Sequence, residues 1–165
     1  MKGVDFNDRH TIYLPSVTIA DSKIVNGIVP VTASSRLGLK EVVERFGYYL
    51  KRENHYDFPP YEAHDDGDEK YKAYLFLTNY SPGVGKSQPC GAAFFEWVTQ
   101  DKCDEPGYFN RWWLMWVWIH PYERGSGELQ RAWTHFKEEF GDFHVQPPLS
   151  KAMERFLEKQ KVPLA

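Results

Sequence analysis

The stretch from Arg111 to Phe140, RWWLMWVWIHPYERGSGELQRAWTHFKEEF, limits what this chain can fold into more than any other. From Trp112 to Ile119 it is apolar on both alternations. Trp112, Leu114, Trp116, Trp118 and His120 share one phase, and Trp113, Met115, Val117 and Ile119 the other. Such a run predicts a central strand covered on both faces. Pro121 ends it, because proline cannot donate to the ladder. Gly125 and Gly127 then allow a sharp turn and a close approach to a ligand. From Ser126 onward Leu129, Trp133, Phe136 and Phe140 recur at helical spacing, and Gly141 is a natural stop. A strand, a glycine turn and an emerging helix place unpaired N–H groups and a partial positive charge at one point. That point suits phosphate or another anion.

The rest of the chain supplies further elements. Val17–Val25 and Ile28–Thr32 flank Asn26-Gly27, which predicts a hairpin. Ser34 or Ser35 is placed to cap a helix with Leu39, Val42, Val43, Phe46 and Leu50 on one side, which Gly47 weakens. Residues 54–69 are irregular and carry the acidic cluster Asp65, Asp66, Asp68 and Glu69. The cluster reads as a solvated loop or as a lip that attracts a cation. Strands are expected over Tyr71–Asn79, Gly91–Thr99 and Phe143–Gln146, and a last helix over Ser150–Gln160. Gly85-Lys86-Ser87 looks like the end of a phosphate loop. Tyr80 stands where that motif has its first glycine and Pro89 blocks the following helix, so a hairpin loop is expected.

The string Ile119-His120-Pro121, Arg124-Gly125-Ser126-Gly127-Glu128-Leu129 resembles the acetyl-CoA-binding core of the GNAT superfamily of N-acetyltransferases. That family ends its fourth strand in Val-x-Pro and follows it with Gln/Arg-x-x-Gly-x-Gly/Ala. The resemblance covers about residues 71–160. It implies an α/β fold with a mixed, mostly antiparallel central sheet flanked by helices. It also implies one domain over 1–165: a hairpin and helix over 1–52, the acidic loop over 53–70, and an acyl-CoA-binding core over 71–160. Trp118 and Ile119 at the strand end would then pair with the pantetheine arm. Arg124, Gly125, Ser126, Gly127, Glu128 and Leu129 would receive the pyrophosphate of acetyl-CoA, the co-substrate. Three departures stand out. Leu129 replaces the family's Gly or Ala, and Leu157 replaces the tyrosine that serves as general acid. The family's C-terminal hairpin has no counterpart, and the N-terminal hairpin is offered as what fills its place in the sheet. The segment HVQPPLSKAMERFLEK is also similar to the C-terminal part of the cohesin acetyltransferases, which act on protein lysines.

Acetyl transfer to an amine requires that the amine lose a proton and that the carbonyl oxygen be stabilised. Glu96, mid-strand in GAAFFEWV, is the first candidate base; its alternatives are a glutamate on a partly exposed face or a structural pair with Arg111. His120 at the strand mouth is the second, with a surface histidine as the alternative. Ser150 is a candidate proton donor through water, or simply a helix cap. The expected function is therefore acetyl transfer from acetyl-CoA to an amine, a protein lysine or a small amine, by direct attack. A catalytically degenerate binding or protein-interaction module on the same fold is the alternative, as is a different α/β domain with an ordinary glycine turn.

Other classes are disfavoured. A net charge of −3 speaks against a general nucleic-acid binder. The longest apolar run is too short for a bilayer, and the N-terminus shows no apolar signal region, so the cytoplasm is the expected address. Cys90 and Cys103 form no metal-ligand spacing and no disulfide framework.

Overall fold

The computed structural model describes residues 17–18, 24, 27–57, 60–64, 70–78, 86–121 and 123–161. Among the described residues six strands and three helices follow in chain order: β1 (Val17–Thr18), β2 (Ile28–Val31), α1 (Leu37–Asn54), β3 (Tyr71–Thr78), β4 (Lys86–Val98), β5 (Arg111–Ile119), α2 (Glu128–Phe140), β6 (His144–Val145) and α3 (Lys151–Lys161). The main sheet has the order β2-β3-β4-β5-β6. Its pairs are antiparallel except β5 with β6, which is parallel. This is the expected mixed, mostly antiparallel α/β architecture.

Two apolar layers cover the sheet. On one face Leu39, Val42, Val43, Phe46 and Leu50 of α1 pack on Val29, Val31, Leu75, Ala92, Trp116 and Trp118. Gly47 lets α1 come close here, because a Cβ there would lie 3.2 Å from Pro60 Cγ and 3.7 Å from the Trp116 ring. On the other face Ala132, Trp133 and Phe136 of α2 cover Tyr74, Phe76, Ala93, Phe95 and Leu114, and Phe156 and Leu157 of α3 join from the side.

A bulge changes the reading of β5. Phe94 pairs with Trp116, whereas Phe95 pairs with Leu114, so Met115 is the extra residue. The single phase expected for Trp112 to His120 is therefore broken. Leu114 belongs to the α2 layer, while Trp116 and Trp118 belong to the α1 layer. An unpaired residue shifts the alternation by one.

Three further expectations change. Val17–Thr18 pairs with Ser87 and Lys86 of β4, not with β2. β2 instead lies antiparallel on β3, and so occupies the edge opposite β6 and does not complete the β6 side. Most of the expected hairpin, with Asn26, lies outside the described residues, as does the acidic cluster 65–69. Neither Ser34 nor Ser35 caps α1: its cap residue is Arg36, without a side-chain bond, and Ser35 Oγ accepts from Thr32 N–H at 2.8 Å. The serine closes the preceding turn and is no longer free for the helix.

The outer end of α2 is tied to β3 by one carboxylate. Glu139 accepts from Lys72 Nζ and Tyr74 Oη, and shares a 2.9 Å bond with His135 Nε2. Burial works against its ionisation, but Lys72, Tyr74 and His135 outweigh it and hold the carboxyl below its ordinary value of 4.5. A depressed folded pKa contributes stability above the unfolded value, and the contribution is lost as pH falls through the folded one. Urea unfolding at about pH 6 and about pH 3 should therefore show an acid loss that is smaller in Glu139→Gln. An identical loss in both proteins would place it elsewhere.

Candidate functional site

β5 outruns its parallel neighbour. β6 pairs only at Trp113 and Leu114, and Gln146 N–H then bonds Leu114 O at 3.0 Å. Beyond that point β5 has no strand on this side among the described residues. His120 N–H points the other way, to Cys90 O at 2.7 Å, so the main-chain groups of Ile119 face the open side. An open strand edge is a row of donors and acceptors ready to pair with an extended partner. α2 and α3 flank it, joined by Trp133 against Phe156 at 4.9 Å and by the side chains of Gln130 and Gln160.

The edge leads into the glycine turn. Gly125 and Gly127 sit at φ 81° and 88°, a region where L side chains are strained. Gly127 is the cap residue of α2 and no side chain bonds the first turn. The helix N-terminus thus keeps its anion-binding character. Arg131 reaches back over this turn, with Nη1 3.4 Å from Ser126 O and Nη2 3.2 Å from Glu128 Oε1. Leu129 is half-buried against the α2 layer, the role of a core residue.

One contact across the chain locks the turn in place. Glu53 at the end of α1 accepts both Arg124 terminal nitrogens, at 3.0 and 2.8 Å, and Trp118 Nε1 at 2.5 Å. Arg124 Nε donates to Ile119 O at 2.7 Å, and its guanidinium lies 5.7 Å from the Trp118 ring centre. Arg124 is thus committed to protein partners; the turn's backbone remains for an anion, with Arg131, itself paired with Glu128, beside it. Glu53 is a site residue that local sequence reading misses, because its partner is 71 residues away.

Behind the turn, β4 and β5 approach closely at Gly91, where a Cβ would lie 2.3 Å from Trp118 O. Cys90 beside it is fully buried. Burial, then Glu128 and Glu123, push its thiol up to about 12, so it is no nucleophile near neutral pH. His120 is 6 % exposed, with its ring 6.2 Å from Trp118, and so is not the surface histidine of the alternative reading.

Glu96 stands elsewhere. It pairs across the strands with Trp113, while Gly91 pairs with Ile119. His120 lies beyond Ile119, so the two candidate bases are roughly 20 Å apart along the sheet. Glu96 is bonded to Lys102, and not by any described bond to Arg111, whose guanidinium donates to Gly107 O and Asp142 O. Ser150 Oγ accepts Met153 N–H at 3.1 Å, the bond of a helix cap. Among the described residues no group of three or more His, Cys, Asp or Glu is placed to hold a metal, and no helix is long and apolar enough to cross a membrane.

No protein-family model matches this chain, and no curated protein matches it. Among solved structures, it is similar to the ribosomal-protein-alanine N-acetyltransferase of Brucella melitensis biovar Abortus 2308, with a TM-score of 0.46 and 14% identity over 84% of this chain and 91% of that one. It is also similar to a tetramutant of the BH1408 protein of Bacillus halodurans, with a TM-score of 0.48 and 12% identity over 83% of this chain and 93% of that one.

Proposed function

We propose that this chain is a GNAT-like acetyltransferase that binds acetyl-CoA along the open edge of β5 and passes its acetyl group to an amine. One observation carries the reading: a strand edge unpaired among the described residues runs straight into a glycine turn and an uncapped helix N-terminus. The pantetheine arm would pass Trp118 and pair with the outward main-chain groups of β5 up to the Ile119 N–H, stopping short of the Ile119 carbonyl that Arg124 holds. The pyrophosphate would meet the amides of Gly125, Ser126, Gly127, Glu128 and Leu129. Arg124, held by Glu53, would fix the turn, and Arg131 would add charge. With Cys90 protonated and buried, direct attack by the amine is the simplest route.

The acceptor amine would arrive on the α1 face, where Glu96 is held beside Lys102. The acidic cluster Asp65, Asp66, Asp68 and Glu69 would favour a cationic acceptor, a protein lysine or a small polyamine. A binding module without transfer is the second reading, favoured by Leu157 at the place of the family's tyrosine.

Binding to the native state raises stability, so a thermal-shift titration tests the reading. Acetyl-CoA and CoA at a hundredfold excess over the dissociation constant should each add about 2.7 kcal/mol. No shift at about millimolar ligand, well above ordinary cofactor affinities, would overturn it.

A further inference from the structure

We propose that the acceptor amine is received on a row of side chains crossing the sheet, Tyr71, Glu96, Trp113 and His144, and that His144 takes the proton the amine must lose. This rests on the acetyl-transfer reading above and assigns its base.

The row follows from strand pairing. Tyr71 of β3 pairs with Glu96 of β4, Glu96 with Trp113 of β5, and Trp113 with His144 of β6. Directly paired residues point to the same face of a sheet. Ring contacts agree: His144 lies 4.4 Å from Trp113, and Tyr71 lies 5.6 Å from Phe94 within the α1 layer. The row lies one residue before the point where β6 parts from β5. A donor stretched along the open edge from the glycine turn would thus bring its reactive end beside it.

Each member has a suitable chemistry. Glu96 already holds an alkylammonium, that of Lys102, so its carboxylate accepts the group an acceptor would bring. Trp113 stands between Glu96 and His144 and offers a ring to a cation. Glu96 and His144 are separated by two strand spacings, about 10 Å, with Trp113 between them, so an amine reaching both would lie over that ring. No hydrogen bond engages the His144 ring among the described residues; its contacts are the Tyr108 and Trp113 rings. Of the charged groups around it, Arg111 disfavours protonation and Glu105 favours it. Burial and Arg111 hold the imidazole below its ordinary value, so it is neutral near pH 7 and has a ring nitrogen open to a proton. His120, by contrast, is buried at the far end of β5.

The step balances without a further reagent. The ammonium gives one proton to His144, which returns it to solvent. The amine nitrogen then forms a C–N bond to the acyl carbon as the C–S bond breaks, and its second proton goes to the departing thiolate.

The full chain would be assayed with acetyl-CoA and spermidine or a lysine-containing peptide, following the acetylated product. His144→Gln should keep the acetyl-CoA thermal shift, lower kcat by about 10²–10⁴-fold and remove the acid limb of the kcat/KM profile. In His144→Ala, added imidazole should restore part of the rate, which a purely structural role would not allow. Glu96→Gln should instead raise the acceptor KM and keep the acid limb. A wild-type rate and profile in His144→Gln, or no imidazole rescue in a folded His144→Ala, would overturn the assignment while leaving acetyl transfer standing. A wild type that binds acetyl-CoA but acetylates neither amine would overturn both in favour of the binding module.

Discussion

Replacing Phe136 with alanine should cost about 3–5 kcal/mol of stability, the range for deleting a large aromatic from a packed core. Phe136 is fully buried at the centre of the α2 layer. Its ring lies 4.8 Å from Phe95, 5.0 Å from Tyr74 and 6.4 Å from Trp133, so the neighbours on both sides are rigid rings. Rings fixed on β3 and β4 cannot collapse into the space, and the cavity term stays large. For a chain of this size the melting temperature should fall by roughly 10 °C or more. A fall of only about 1–2 °C would mean that α2 repacks and that this layer is softer than its ring contacts imply.

Gly127→Val should abolish the stabilisation by acetyl-CoA, about 2.7 kcal/mol at a hundredfold excess, while leaving the protein folded. The space beside Gly127 is not the obstacle, since a Cβ there would be 3.6 Å from the flexible end of Arg131. The obstacle is its φ of 88°, which costs a β-branched residue more than the roughly 1–2 kcal/mol charged to an ordinary one. The chain would relieve that strain by rotating the turn, and the amides of the first helical turn would no longer converge on one point. Thermal shifts of wild type and variant, with and without ligand, make the comparison. A variant that keeps the full shift would detach phosphate binding from this turn.

Much of this was legible in the sequence where the signal is local. The apolar run of β5, the glycines that need positive φ, and the helical stripe of α2 lie within thirty consecutive residues, and their bounds match the structure closely. Ser150 as a cap is of the same kind. What escaped is of two sorts. The bulge at Met115 is silent because β5 is apolar in both phases, so no polar residue marks where the alternation slips. Glu53 with Arg124, and the row from Tyr71 to His144, depend on pairings between distant segments that no spacing encodes. The two serines before α1 were misread locally, because a competing turn at Thr32 took the hydroxyl expected to cap the helix.

The hold of Arg124 on Ile119 O bears on how the protein behaves in a crowded solution. An exposed, aromatic-rich strand edge invites pairing with another chain, and natural sheets guard such edges with charged side chains. A guanidinium seated on the last carbonyl of β5, and anchored by Glu53, is such a guard. It bars a second strand from entering at the turn end, while Gln146 closes the other end at Leu114 O. The segment between them stays open over a length that fits a slender chain and is too short for the sustained ladder of a fibril. The clasp that steadies the turn thus also stands where it can guard this edge against pairing with a second chain.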